Sequence, residues 1–209
     1  MKILLKLKKS VFIITLFLIS SLNSIAQEYN YGVMFGVNSS NKRLSKKELG
    51  KEIYDAKTTL NLNAFIKYKS KNFWGISIEP GFIQKGSKEN FYSLEEGEFD
   101  YSQLNYIQVP LLAELFATEK LYFSIGPEFS YLLSAKMKSD DSKIDITDIY
   151  DKRFELSSII GLNYKVLKKV DIGIRYSHGL TSILELGSTH NGQVKEYNKY
   201  FQFLIKYRI

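Results

Sequence analysis

Leu104-Asn105-Tyr106-Ile107-Gln108-Val109-Pro110-Leu111-Leu112-Ala113-Glu114-Leu115-Phe116 is the stretch whose reading decides the fold. Its odd positions Ile107, Val109, Leu111, Ala113 and Leu115 are all apolar, while Tyr106, Gln108, Pro110, Leu112 and Glu114 alternate with them. A period of two describes the segment and a helical period does not, so it reads as a β-strand with one apolar and one mixed face. Two surroundings suit such a strand. In a water-soluble sandwich the mixed face meets solvent; in a membrane barrel the apolar face meets lipid and the mixed face fills a narrow lumen.

Working outward, the same alternation recurs on both sides. Residues 29–38, 58–69 and 73–86 precede the stretch as strands, and 121–135, 153–166, 170–180 and a final segment ending at Ile209 follow it. Turns of three or four residues, 70–72, 117–120 and 167–169, alternate with long polar loops at 39–57, 87–102, 136–152 and 181–196. Eight strands, an even count, with long connections on one side and short ones on the other, are the pattern of an outer-membrane barrel. A soluble carrier barrel would place its apolar residues inside, around a ligand, and its polar residues outside. Here the mixed face carries Glu79, Glu128 and Arg175 at mid-strand, and Lys67, Glu114, Lys165, Asp171 and Lys206 nearer the short-turn end. Inside a narrow lumen these charges must pair, because an uncompensated buried charge is costly. The expected fold is therefore all-β, an eight-stranded antiparallel up-and-down transmembrane β-barrel.

The N-terminus agrees. Lys2, Lys6, Lys8 and Lys9 precede an uncharged run with an apolar heart at 11–22, which reaches Ser24-Ile25-Ala26. A basic start, a short apolar run and small residues before the cut make a secretory signal peptide, with cleavage expected after Ala26. The expected organisation is a signal peptide at 1–26 and one barrel domain at 27–209. Losing the leader removes four of the seven excess positive charges, so the basic balance is no sign of nucleic acid, which asks for a concentrated basic face. With no cysteine anywhere, disulfides and a lipid-anchored lipoprotein are excluded, and packing and backbone pairing must hold the fold. No apolar run beyond residue 27 is long enough for a spanning helix, so a mature chain that crosses a membrane crosses it as a closed barrel. Among the 15 Tyr, 14 Phe and one Trp of the full sequence, the set Tyr68, Trp74, Phe116, Tyr164 and Tyr207 falls near the short turns. Phe82, Tyr131, Phe154, Tyr176 and Phe201 fall near the loops, giving two expected interfacial girdles.

Four motifs, taken in order, resemble the strands of the PorT-like outer-membrane β-barrel family of Bacteroidota. They are residues 78–86 (IEPGFIQKG), 104–112 (LNYIQVPLL), 125–127 (IGP) and 175–181 (RYSHGLT). The resemblance covers nearly the whole mature chain. It implies an eight-stranded outer-membrane barrel without catalytic residues, one branch of the family being tied to protein secretion across the outer membrane and to gliding. Two positions depart from the family pattern: Gln108 stands where Glu is usual, and the chain ends in Ile209 where barrels commonly end in Phe.

Chemistry-bearing residues are few. Ser177 and His178 are neighbours in a strand and point to opposite faces, so they cannot form a dyad. A lipid hydrolase built on His178 would need Thr181, Ser182 and a carboxylate such as Glu185 to approach it. His190 sits beside Asn191-Gly192, a turn signal. Asp140, Asp141, Asp145, Asp148 and Asp151 crowd one loop without the spacing of a calcium loop. No cofactor or metal motif is present, and eight strands leave a lumen that side chains fill. The reading is a monomeric, non-enzymatic barrel in the outer membrane of a diderm bacterium, a scaffold or interaction protein of the cell envelope. Its partners would be outer-membrane lipids and, by family analogy, envelope or secretion-machinery proteins. A lipid-modifying hydrolase and a small-ligand carrier or narrow channel are the alternatives.

Overall fold

In the computed structural model, residues 28–45, 54–70, 73–89, 101–138, 142–189 and 192–209 are described. The expected signal peptide at 1–26, Asp140, Asp141 and His190 lie outside them. The chain runs through β1 (Glu28–Leu44), β2 (Tyr54–Asp55), β3 (Lys57–Lys69), β4 (Trp74–Ile78), β5 (Gly81–Lys85), β6 (Lys88–Glu89) and β7 (Tyr101–Phe116). It continues with β8 (Leu121–Lys138), β9 (Lys143–Asp145), a 3₁₀ turn at Thr147–Ile149, β10 (Phe154–Lys165), β11 (Val170–Gly179), β12 (Leu184–Thr189) and β13 (Gly192–Arg208).

Eight spans form the ring, β4 and β5 together making one of them. Each pairs antiparallel with its sequence neighbour, and β1 pairs with β13 from Gly32↔Arg208 to Leu44↔Glu196, which closes the barrel and leaves no edge. The expected eight-stranded barrel is thus observed. β2 with β6, β9 on β8 and β12 on β13 prolong the sheet only on the long-loop side.

Alternation sets the two faces. Outward-facing Phe35, Leu62, Ile66, Ile125, Ile160 and Phe203 are 46–61% exposed, while the residues between them are buried. An apolar belt that size is not tolerated in water, and lipid is the solvent that accepts it. Trp74, Tyr164 and Tyr207 stand at the short-turn edge of this belt, and Phe82, Tyr131, Phe154, Tyr176 and Phe201 at the loop edge, as expected. Phe116 departs from the girdle expectation: at an even position it turns towards the mouth of the lumen, with its ring 5.1 Å from that of buried Tyr122.

Several boundaries differ from the expectation. β1 continues to Leu44, β8 to Lys138, and β13 begins at Gly192, so much of the expected loop sequence is strand. Above the belt both faces are polar, and the backbone ladder continues without an apolar period to reveal it. The third span breaks at Glu79-Pro80, since proline has no N–H to give the ladder. The sheet stays joined there through Ala64 N to Pro80 O at 2.9 Å and Glu79 N to Pro110 O at 3.0 Å. β8 carries a bulge where pairing passes from Asn105↔Ser134 to Tyr106↔Leu132. Beyond it Ala135 is fully buried while Ser134 is not, so the even-in alternation that holds from Tyr122 to Leu132 is shifted by one residue.

Three apolar clusters are buried among the described residues, one of them being Leu44, Tyr54 and Val194 in the strand extensions on the long-loop side. Met34, Phe65 and Leu204 fill the lower half, and Ile83, Leu104, Tyr106, Leu132, Ala135, Tyr150, Ile183 and Tyr200 close the loop-side mouth. Between and around them sit the charges.

Candidate functional site

The interior charges form three clusters stacked along the barrel. In the lowest, Arg175 of β11 reaches Glu79 at the break after β4, Nη1 to Oε2 at 2.5 Å and Nη2 to Oε1 at 2.9 Å. Lys206 of β13 donates to the same carboxylate at 2.7 Å and lies 3.8 Å from Glu114 of β7. Lys67 of β3 completes the set, 2.5 Å from Glu114 and 3.7 Å above the Tyr122 ring. Each of these five side chains is nearly or wholly excluded from solvent. Asp171, one pleat nearer the short turns, accepts hydrogen bonds from Tyr122 Oη at 2.9 Å and Arg208 at 2.9 Å.

The middle cluster has one cation for two carboxylates. Lys85 donates to Glu128 at 2.8 Å and Glu155 at 3.2 Å, all three side chains being at most 1% exposed. The excess negative charge is spread over neutral donors: Tyr200 gives its hydroxyl proton to Glu128, and Asn198 donates to Glu155 at 2.8 Å. Ser157 adds a third donor, to Glu155 at 3.1 Å. The uppermost cluster repeats the ratio, with Lys42 of β1 between Glu89 at 2.6 Å and Glu196 at 2.9 Å, beneath the Tyr54 ring. Buried ion pairs of this kind compensate charges that would otherwise be prohibitive; they add little net stability but are costly to break by removing one partner.

Of the residues expected to balance inside, the structure brings Glu79, Glu114, Lys67, Arg175 and Lys206 into one cluster, with Asp171 beside it. Glu128 belongs instead to the middle cluster, and Lys165 stands half-buried at the short-turn mouth, 5.4 Å from the Phe116 ring centroid. Sequence reasoning missed Lys85, Glu155, Lys42, Glu89 and Glu196. Glu155 carried a signal, since it lies between Phe154 and Leu156, and Lys85 a weaker one, in phase with Glu79 on the mixed face of its span; the other three sit in strand extensions with no apolar period.

The hydrolase constellation is not assembled. Ser177 is buried on the lumen face, while His178 points outward with Nδ1 3.2 Å from the Tyr176 hydroxyl. Glu185 is engaged by Lys152, with Lys195 at 3.6 Å, and Thr181 accepts a hydrogen bond from Leu156 N at 2.9 Å. In the aspartate-rich loop, Asp145 caps Thr147 N at 2.9 Å and Asp148 lies 3.6 Å from Arg153. Among the described residues no group of three acidic or histidine side chains is placed to hold a metal.

Residues 25–185 match the model of a protein family described as "Outer membrane protein beta-barrel domain". The fold is similar to that of Neisserial surface protein A (NspA), at 12% identity and TM-score 0.55 over 88% of this chain and 100% of that one. Ail, the attachment invasion locus protein of Yersinia pestis, is 16% identical over 87% of this chain and 99% of its own, with TM-score 0.48. For OprG from Pseudomonas aeruginosa the values are 11%, 87%, 95% and 0.43. No curated protein sequence matches the chain.

Proposed function

The chain belongs to the outer membrane protein β-barrel domain family and lies in the outer membrane, and from that premise we propose that it is a non-enzymatic scaffold or interaction protein of the cell envelope. The observation that carries this reading is the filled lumen. Glu79, Lys85, Glu114, Glu128, Arg175 and Lys206 cross it at 0–2% exposure, each held by an opposite charge. A route for solutes would require several of these pairs to part at once, against the cost of exposing each buried charge. The working surfaces are then the outer wall and the loop end, which in such barrels faces outward from the cell. Support for a place beside a protein-secretion machine comes only by analogy, from the four strand motifs that resemble the PorT-like family, one branch of which is tied to secretion.

A strain lacking the gene tests this. Its culture medium and surface proteome are compared with those of the parent. Loss of a whole class of exported proteins, restored by the wild-type gene, is the result expected of a secretion partner. An unchanged set of exported proteins removes that role and leaves the surface scaffold, whose contacts are then sought by cross-linking from the loop side.

A further inference from the structure

The outer wall above the belt is not uniform. A pocket of about 580 Å³ opens at the loop-side edge, lined by Lys152, Arg153, Lys195, Thr181, Ser182 and Tyr197, with Phe154 and Leu180 at its apolar margin. Three cations and three hydroxyl-bearing side chains line it, against Asp151 alone among the lining carboxylates. Glu185 bridges Lys152 and Lys195 and so holds the two ammonium groups together at the rim. Beside Tyr197 stands a fourth cation, Arg43, whose guanidinium stacks 4.1 Å from the ring centroid and is fixed by a 2.8 Å hydrogen bond to Gly179 O.

Below this pocket lies a second one of opposite chemistry. It is a groove of about 270 Å³ in the lipid-facing belt, bounded by Phe123, Ile160, Leu162, Ile174, Tyr176 and Phe201. Both run over the same three adjacent strands, β10, β11 and β13. Tyr197 is four residues above Phe201, and Leu180 four above Tyr176, so the two openings are about 13 Å apart along the strands. An anionic, hydroxyl-bonding pocket at the headgroup level, directly over an apolar groove at the acyl level, matches a phosphorylated lipid with its chains against the barrel. A soluble anion or acidic peptide would have no use for the lower groove.

We propose that the β10–β11–β13 face is a binding site for a phosphorylated glycolipid of the outer leaflet, with Lys152, Arg153 and Lys195 on a phosphate and the Ile160–Ile174–Phe201 groove on an acyl chain. It rests on the outer-membrane reading and on the loop end facing outward. The lysines act as point-charge donors, the Thr181 and Ser182 hydroxyls as neutral donors, and the groove excludes water from the chain beneath.

The test uses the full-length barrel in detergent micelles, with retained lipid measured by native mass spectrometry. The probes are diphosphoryl lipid A, the same lipid stripped of phosphate, and inorganic phosphate as competitor. The intact lipid should be retained about tenfold better than the stripped one, and the Lys152→Ala/Lys195→Ala pair should lower its retention by about as much, the scale of losing charge-assisted contacts. Ile160→Trp, which fills the groove, should also weaken retention, with Ile174→Trp as the substitute if the first does not fold. Ile66→Trp, on the far wall, should not change it. Equal retention of both lipids, indifference to the lysine pair and groove variants, or displacement by millimolar inorganic phosphate alone would overturn the proposal. A barrel that fractionates with the outer membrane yet fails these tests overturns the lipid site and leaves the envelope reading standing; one that does not fractionate there removes both.

Discussion

Arg175 and Glu79, 96 residues apart in the chain, face each other across the interior as a two-pronged ion pair, with neither side chain more than 1% exposed. Because Lys206 shares the same carboxylate, Glu79 compensates two cations while Arg175 compensates one anion.

The two residues should therefore respond unequally to removal. Glu79→Gln strands Arg175 without a carboxylate and should cost about 3–5 kcal/mol. Arg175→Met leaves Glu79 with Lys206 and should cost less, about 1–3 kcal/mol, the scale of an unsatisfied buried acceptor. Urea unfolding in lipid vesicles measures both. The reverse order would show that the pair is not organised around Glu79.

The middle cluster makes the complementary case. Lys85→Met leaves Glu128 and Glu155 buried without a cation and should destabilise by about 3–5 kcal/mol. Glu155→Gln should stay within about 1 kcal/mol of wild type, because Lys85 keeps Glu128, the amide oxygen can still accept from Ser157, and Asn198 can turn its side chain so that its Oδ1 accepts from the new amide nitrogen. The same unfolding series reports both, and equal losses would contradict the two-to-one charge ratio.

Closure of the ring depends on a missing side chain. A Cβ at Gly32 would lie 1.9 Å from Tyr207 O, inside the β1–β13 seam, and the backbone oxygen cannot swing away. Gly32→Ala should cost about 3 kcal/mol through strain at the seam. The folded fraction, read from the heat-modifiable mobility of the barrel on gels, should fall for this variant and not for Ser39→Ala on the outer face.

Tyr150, in the loop after the 3₁₀ turn, sits in the apolar cluster at the loop-side mouth. Burial pushes its hydroxyl up from the ordinary value near 10 to about 12, with nearby Lys42 opposing and Glu196 and Glu89 adding to the rise. The folded state thus resists ionisation that the undocked loop permits. Docking is fully stable below pH 10 and weakens as the pH rises from 10 through about 12. Protection of the amides at residues 143–150, taken relative to their intrinsic base-catalysed exchange, should fall across that window, and Tyr150→Phe should remove that fall.

What the sequence made legible follows the apolar belt. Ile107, Val109, Leu111 and Leu115 face outward and Gln108, Leu112 and Glu114 inward, as their alternation requires. Glu79, Glu128 and Arg175 at mid-strand, and Lys206 nearer the short turns, were expected inside because each sits on the mixed face between apolar outward neighbours, but which charge pairs with which was not legible. Lys42, Glu89 and Glu196 were hidden for the opposite reason: above the belt, Asn41 and Lys199 face out where Phe35 and Phe203 do below, so the polar–apolar period vanishes while the ladder continues. The outer basic pocket was equally hidden. Lys152, Arg153 and Lys195 come from segments more than 40 residues apart that the pairing of β10, β11 and β13 brings together.

The filled lumen is most directly tested by recording from the full-length barrel reconstituted in a planar lipid bilayer. Interlocked pairs at Glu79–Arg175 and Lys85–Glu128 predict no stepwise conductance, in the wild type and in folded Ile66→Trp alike. Steady unitary currents whose size or ion selectivity changes with Arg175→Ala would contradict the sealed barrel and make this chain a channel.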